Sequence, residues 1–147
     1  MTLNTSDIKV LAFDVFGTVV DWHGSIAREV NAMGLGPDGH AFASAWRKGY
    51  MPAMDRVRKG ELGWTKIDDL HRMILDTVLA KFQVTGLSPD AIAHLNKAWH
   101  RLDPWPDTVA GLQRLKSKFT ICTLSNGNLS LLASLAGTPY MPAVDGA

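Results

Sequence analysis

The sequence predicts an α/β fold: a parallel-sheet core with a helical subdomain inserted into it. Three observations carry this. Two short apolar runs, "IKVLAF" at Ile8–Phe13 and "FTICTL" at Phe119–Leu124, each lead into polar residues. Between them lies a long block with helical periodicity, from Trp22 to His100. A proline-punctuated connector, "LDPWPD" at Leu102–Asp107, then returns the chain to the second run. Strands separated by helical segments build parallel sheets. The expected division is a partial core from residues 1–21 and 101–147, and a helical subdomain from residues 22–100.

The elements follow in order. Ile8–Phe13 is short and only weakly alternating, as expected of a strand covered on both faces. Asp21 and Trp22 mark the exit into the helical block. Ser25–Met33 reads as a helix stopped by Gly34. Asp38 caps a helix running to Lys59, which Pro52 should kink or divide. Thr65 and Asp68 resemble a capping box for the next helix, whose apolar positions are Ile67, Leu70, Ile74, Val78 and Phe82. Ser88 and Pro89 open another, with Ile92, Leu95, Trp99 and Leu102 on one stripe. Pro106–Lys116 is a short helix, and Phe119–Leu124 the second buried strand. Asn128 caps a helix through Leu135 that Gly137 closes. "YMPAVDGA" holds one short strand at most.

The 147 residues, 46% of them hydrophobic, suffice for one globular domain with a subdomain. A formal net charge of +1 points to no nucleic-acid or membrane-surface partner. One cysteine, Cys122, excludes an internal disulfide framework and any multi-cysteine metal site. Set in an apolar strand, it reads as an inert buried thiol. No basic-then-apolar leader opens the chain, and no apolar run approaches the ~20 residues a membrane helix needs. A cytoplasmic protein is the expectation. His23, His40, His71, His94 and His100 lack ligand spacing, and surface or cap roles are expected for them. Trp46, Trp99 and Trp105 read as packing residues.

Ligands of open α/β sheets bind beyond the carboxyl ends of the strands. Here the first strand end offers Asp14, Gly17 and Thr18, and the second Ser125, Asn126 and Gly127. Side-by-side strands would bring Asp14 to Ser125 and Asn126. An aspartate after a strand is often only a turn residue. Gly17, however, permits close backbone approach, Thr18 can donate to a carboxylate, and the following N–H groups can hold an anion. A carboxylate so fixed is a candidate nucleophile. Arg47 shares a helical stripe with Tyr50, Met51 and Met54, and an inward-facing arginine calls for an anion.

"FDVFGTVVDW" and "TLSNGN" resemble the first and second motifs of the haloacid dehalogenase superfamily, and "AWRKGYMPAMDRVR" and "HRLDPWPD" are similar to the cap helix and hinge of its type II 2-haloacid dehalogenases. The likeness runs from Ile8 to about Ala136. It implies a Rossmann-type parallel core with a helical cap. Superfamily phosphatases usually carry a second aspartate two positions after the nucleophile, and here that position is Phe16. An aromatic residue there is similar to the metal-free dehalogenases, since halide leaves without a proton donor. The resemblance implies Asp14 as nucleophile, oriented by Thr18. It implies Arg47 and Asn126 as the halide cradle. Ser125 and the backbone at Val15 and Phe16 would hold the substrate carboxylate. The expected substrate is a small (S)-2-haloacid, with no metal and no cofactor.

The family also uses a later lysine and a late aspartate. No lysine follows Lys118, and Asp145 comes too early to match. The expectation is therefore an N-terminal part of a dehalogenase, with little turnover on its own. Its incompletely covered sheet would favour association, as a homodimer for example. A magnesium-dependent phosphatase and a non-catalytic fragment are the rival readings.

Overall fold

The computed structural model describes residues 7–136. Its chain divides into two compact units, one formed by the segments up to Asp21 and from Asp103 onward, the other by Trp22–Leu102.

In the first unit β1 (Val10–Phe13) pairs in parallel with β4 (Thr120–Thr123). Val10 lies opposite Thr120, and Phe13 opposite Thr123. Leu124 N–H extends the ladder by donating to the Phe13 carbonyl at 2.8 Å. The register thus places the ends of both strands level, which sets Asp14 beside Ser125. Helix α6 (Thr108–Lys116) precedes β4, and α7 (Leu129–Ala136) follows it. Val15, Val19, Val20, Leu112, Ile121, Leu131 and Leu135 are the unit's buried apolar side chains.

The expected burial of β1 on both faces does not hold. Val10 is 52% exposed, Ala12 is exposed, and Leu11 and Phe13 are half-buried. Among the described residues only β4 pairs with β1, and nothing covers the face of the strand that carries Val10 and Ala12. A second pairing escapes sequence patterning because it is two residues long. β2 (Val20–Asp21) runs antiparallel to β3 (Asp103–Pro104), with Val20 opposite Pro104 and Asp21 opposite Asp103.

The second unit is helical. Helix α1 (Trp22–Ala32) begins directly after β2, three residues before the expected start at Ser25. Helix α2 (Gly39–Lys48) is capped as expected: Ala41 N–H donates to Asp38 Oδ2 at 2.8 Å. It does not run to Lys59. It stops at Gly49, and α3 (Tyr50–Arg58) begins afresh. The division is not at Pro52, which falls in the first turn of α3, where its missing N–H costs nothing. Gly49 occupies the break, and a Cβ there would lie 2.3 Å from Ile74 Cγ2, so the position has no room for a side chain.

Helix α4 (Ile67–Lys81) supplies that isoleucine. Its expected capping box is absent. Lys66 is the cap residue, and Thr65 Oγ1 donates instead to the Gly63 carbonyl at 2.8 Å. Asp68 is drawn elsewhere, pairing with Lys97 Nζ at 2.9 Å and His100 Nε2 at 2.8 Å. Helix α5 (Pro89–Asn96) has the expected Ser88 cap, its Oγ accepting from Ala91 N–H at 3.1 Å. It then tightens into a 3₁₀ turn, Lys97–His100. Ile26, Val30, Phe42, Trp46, Leu70, Leu75, Leu95 and Trp99 form the buried core. No helix of the described residues is long and apolar enough to cross a membrane. The helix end expected at Gly137, the short strand and Asp145 lie outside the described residues.

Candidate active site

The chain leaves β1 at Phe13 and turns sharply. The Val15 carbonyl accepts from Val19 N–H at 2.9 Å and Val20 N–H at 3.1 Å, and Gly17 N–H donates to the Val20 carbonyl at 3.0 Å. Gly17 has φ +100°, a conformation that penalises any Cβ. Val15 anchors the turn with a side chain only 1% exposed. Two residues near the start of α6 hold the turn from outside. Thr108 Oγ1 donates to the Val19 carbonyl at 2.8 Å, and Trp105 Nε1 to the Gly17 carbonyl at 3.2 Å.

This frame presents Asp14, which is exposed, at the carboxyl end of β1. Each carboxylate oxygen takes one hydroxyl. Ser125 Oγ donates to Oδ1 at 3.0 Å, and Thr18 Oγ1 to Oδ2 at 3.3 Å. Ser125 is half-buried and Asn126, the next residue, exposed. Phe16 is half-buried and forms an isolated backbone bridge with Val20. The structure therefore joins Asp14, Thr18 and Ser125 directly, with Val15 and Phe16 in the same turn and Asn126 next in chain to Ser125. The carboxylate is thus restrained at both oxygens and open to solution, a geometry in which it can act as a nucleophile.

Arg47 belongs to the helical unit. It is half-exposed on α2, its guanidinium carbon 4.7 Å from the centroid of the Tyr50 ring. The expected stripe does not survive the break at Gly49: Tyr50 is buried, but Met51 is 52% exposed. Behind Tyr50 lies His71, only 5% exposed rather than at the surface. Its ring stacks on Trp99 with centroids 4.4 Å apart and tilts toward Tyr50 at 6.2 Å. Burial pushes its pKa down to about 3, with Asp68 opposing the shift and Arg47 and His100 adding to it. The imidazole is thus neutral near pH 7. Tyr50 Oη and His71 Nδ1 are buried without a hydrogen-bond partner among the described residues.

Sequence reading missed the two clamps and the buried histidine. "PWPDT" does place Trp105 and Thr108 around the hinge, but no periodicity says which carbonyls they meet. Cys122 is half-buried rather than buried, its Sγ 3.8 Å from the Leu11 carbonyl oxygen.

A family model described as haloacid dehalogenase-like hydrolase matches residues 8–140. The chain is 28% identical over 134 residues to (S)-2-haloacid dehalogenase 4A of Burkholderia cepacia, covering 85% of this chain and 53% of that protein. Among solved structures it superposes on the L-2-haloacid dehalogenase PA0810 with TM-score 0.84 and 38% identity, over 92% of this chain and 59% of that one. The defluorinating L-2-haloacid dehalogenase Rha0230 gives TM-score 0.83 and 39% identity, over 95% and 60%. The chain spans between half and three fifths of the length of these relatives.

Proposed function

We propose, for a chain that belongs to the haloacid dehalogenase-like hydrolase family, that its chemistry is hydrolytic removal of halide from short (S)-2-haloacids. The observation that carries this reading is Asp14, held at both oxygens by Ser125 and Thr18. An Asp14 oxygen attacks C2 of the haloacid, and the carbon–halogen bond breaks with its electron pair leaving on halide. An aspartyl ester results. Water then adds to the Asp14 carbonyl carbon, the ester C–O bond breaks, and the 2-hydroxy acid departs. One proton from that water goes to solvent.

Thr18 orients the nucleophile, and in the substrate-free protein Ser125 does so too, since its one proton is given to Asp14. The substrate carboxylate is assigned to Ser125 and the backbone at Val15 and Phe16. The departing halide is assigned to Asn126 and Arg47. Phe16 supports dehalogenation over phosphate-ester hydrolysis, because halide needs no proton and Phe16 can give none. We place the protein in the cytoplasm on its single cysteine, and propose a homodimer on the open face of β1.

The test is intact-protein mass spectrometry after incubation with 2-chloropropionate. The expected result is one adduct per chain, mapped to Asp14, with an equivalent of chloride released and neither seen in Asp14→Asn. Magnesium-dependent turnover of phosphate esters without an adduct would replace this reading with a phosphatase.

A further inference from the structure

We propose that Tyr50 is the positioning residue for Arg47, its ring face serving as the seat of the guanidinium and His71 fixing that ring from behind. The inference rests on the halide role given to Arg47 and names what holds that side chain.

A half-exposed arginine on a helix samples many rotamers, and ordering it costs conformational entropy. Here the guanidinium carbon stands 4.7 Å from the Tyr50 ring centroid, within cation–π range. Tyr50 is 8% exposed, so its ring is not free to swing away. The spacing suits this approach: Arg47 in the last turn of α2 and Tyr50 at the start of α3 stand three positions apart across an αR Gly49. Behind the ring, His71 is stacked on Trp99 and anchored through its backbone, whose carbonyl accepts from Trp46 Nε1 at 2.9 Å. A neutral imidazole suits this place, whereas a charged one would repel Arg47.

The Tyr50 hydroxyl has no hydrogen-bond partner. Among the described residues no side-chain hydrogen bond therefore orients the Tyr50 ring, and the position contributes an aromatic face rather than a polar tip. Phenylalanine should do the same work.

The experiment is proton NMR of the full chain, following the Arg47 side-chain resonances, with chlorine-35 line broadening as the readout of chloride binding. In the wild-type chain and in Tyr50→Phe the Arg47 methylene signals should lie upfield of those of the exposed arginines, shifted by the ring. Tyr50→Leu should lose that shift, and its chloride affinity should fall about threefold to tenfold, as loss of one cation–π contact implies. Circular dichroism checks that each variant is folded. Absence of the shift in the wild-type chain, which needs no variant, overturns the proposal. So does its loss in a folded Tyr50→Phe, which would move the role to the hydroxyl. Chloride broadening unchanged by Arg47→Lys would instead overturn the halide role, while the Arg47 shifts still decide the positioning.

Discussion

Ser125 Oγ lies 3.0 Å from Asp14 Oδ1 although 111 positions separate the two residues in the chain. The contact exists because β1 and β4 pair in parallel with their ends level, so the first polar residue beyond one strand meets its counterpart beyond the other.

Removing that hydroxyl by Ser125→Ala should slow formation of the Asp14 adduct about tenfold. A hydrogen bond to a charged group is worth ~1.5–3 kcal/mol, and exposure places this one at the low end. Thr18→Ala, removing the longer bond of 3.3 Å, should slow it less. Time courses of adduct mass for both variants supply the check. Equal rates in all three proteins would mean the hydroxyls do not orient the nucleophile.

Thr108→Val should loosen the turn that carries Asp14. The Val19 carbonyl would keep Trp105 N–H at 3.2 Å but lose the buried Thr108 hydroxyl at 2.8 Å. The expected loss is ~1–2 kcal/mol, measured by urea unfolding. A value within error of zero would show that the Trp105 bond alone suffices.

Gly49→Ala pits two effects against each other. Alanine gains ~1 kcal/mol in backbone terms at this αR position. Its Cβ, however, would sit 2.3 Å from Ile74 Cγ2. That branched side chain is stiff, and overpacking costs ~1–3 kcal/mol. The clash should win, leaving the variant less stable. In a double-mutant cycle Ile74→Ala should relieve part of the cost, and strict additivity would locate the penalty elsewhere.

His71 makes stability depend on pH. Its pKa is about 3 in the folded chain against the usual 6.5. Above pH 6.5 the imidazole is neutral in both states and adds no slope. Below it the unfolded chain binds a proton that the folded chain refuses, so stability falls toward pH 3 at up to ~1.4 kcal/mol per unit. The titratable groups acting on it are Asp68, Arg47 and His100. His71→Gln should flatten the curve between pH 7 and 5 relative to wild type, as read from urea unfolding at each pH. Parallel curves would show that His71 titrates normally when folded.

Asp14, Thr18 and Ser125 are legible in sequence because an apolar run that stops on polar residues marks a strand end, and parallel strands share theirs. The Ser88 and Asp38 caps are legible for a similar reason: their cause is local. The capping box at Thr65 is misleading because Asp68 has stronger claims on it from Lys97 and His100, about thirty positions on. The continuous helix through Pro52 is misleading because Pro52 fits the first turn of α3, and the close packing of Ile74 on Gly49, from another helix, leaves no trace in the local pattern. His71 is invisible for the same reason, since only tertiary packing sets its burial. Local chemistry reads from the chain, whereas competition among distant partners does not.

The two-residue pairing of β2 with β3 bears on the order of folding. Val20 meets Pro104 and Asp21 meets Asp103, the residues that flank the helical unit in the chain. Joining β1 to β4 directly from an unfolded chain would mean closing a loop of more than a hundred residues, a slow and entropically costly search. Once the contiguous segment Trp22–Leu102 has collapsed on its own contacts, its ends are tethered and that loop is effectively shortened. The β2–β3 clasp then records the closure, and the parallel pair zips from it. The contact between Asp14 and Ser125 therefore depends, through loop entropy, on how well the helical segment holds its own two ends together.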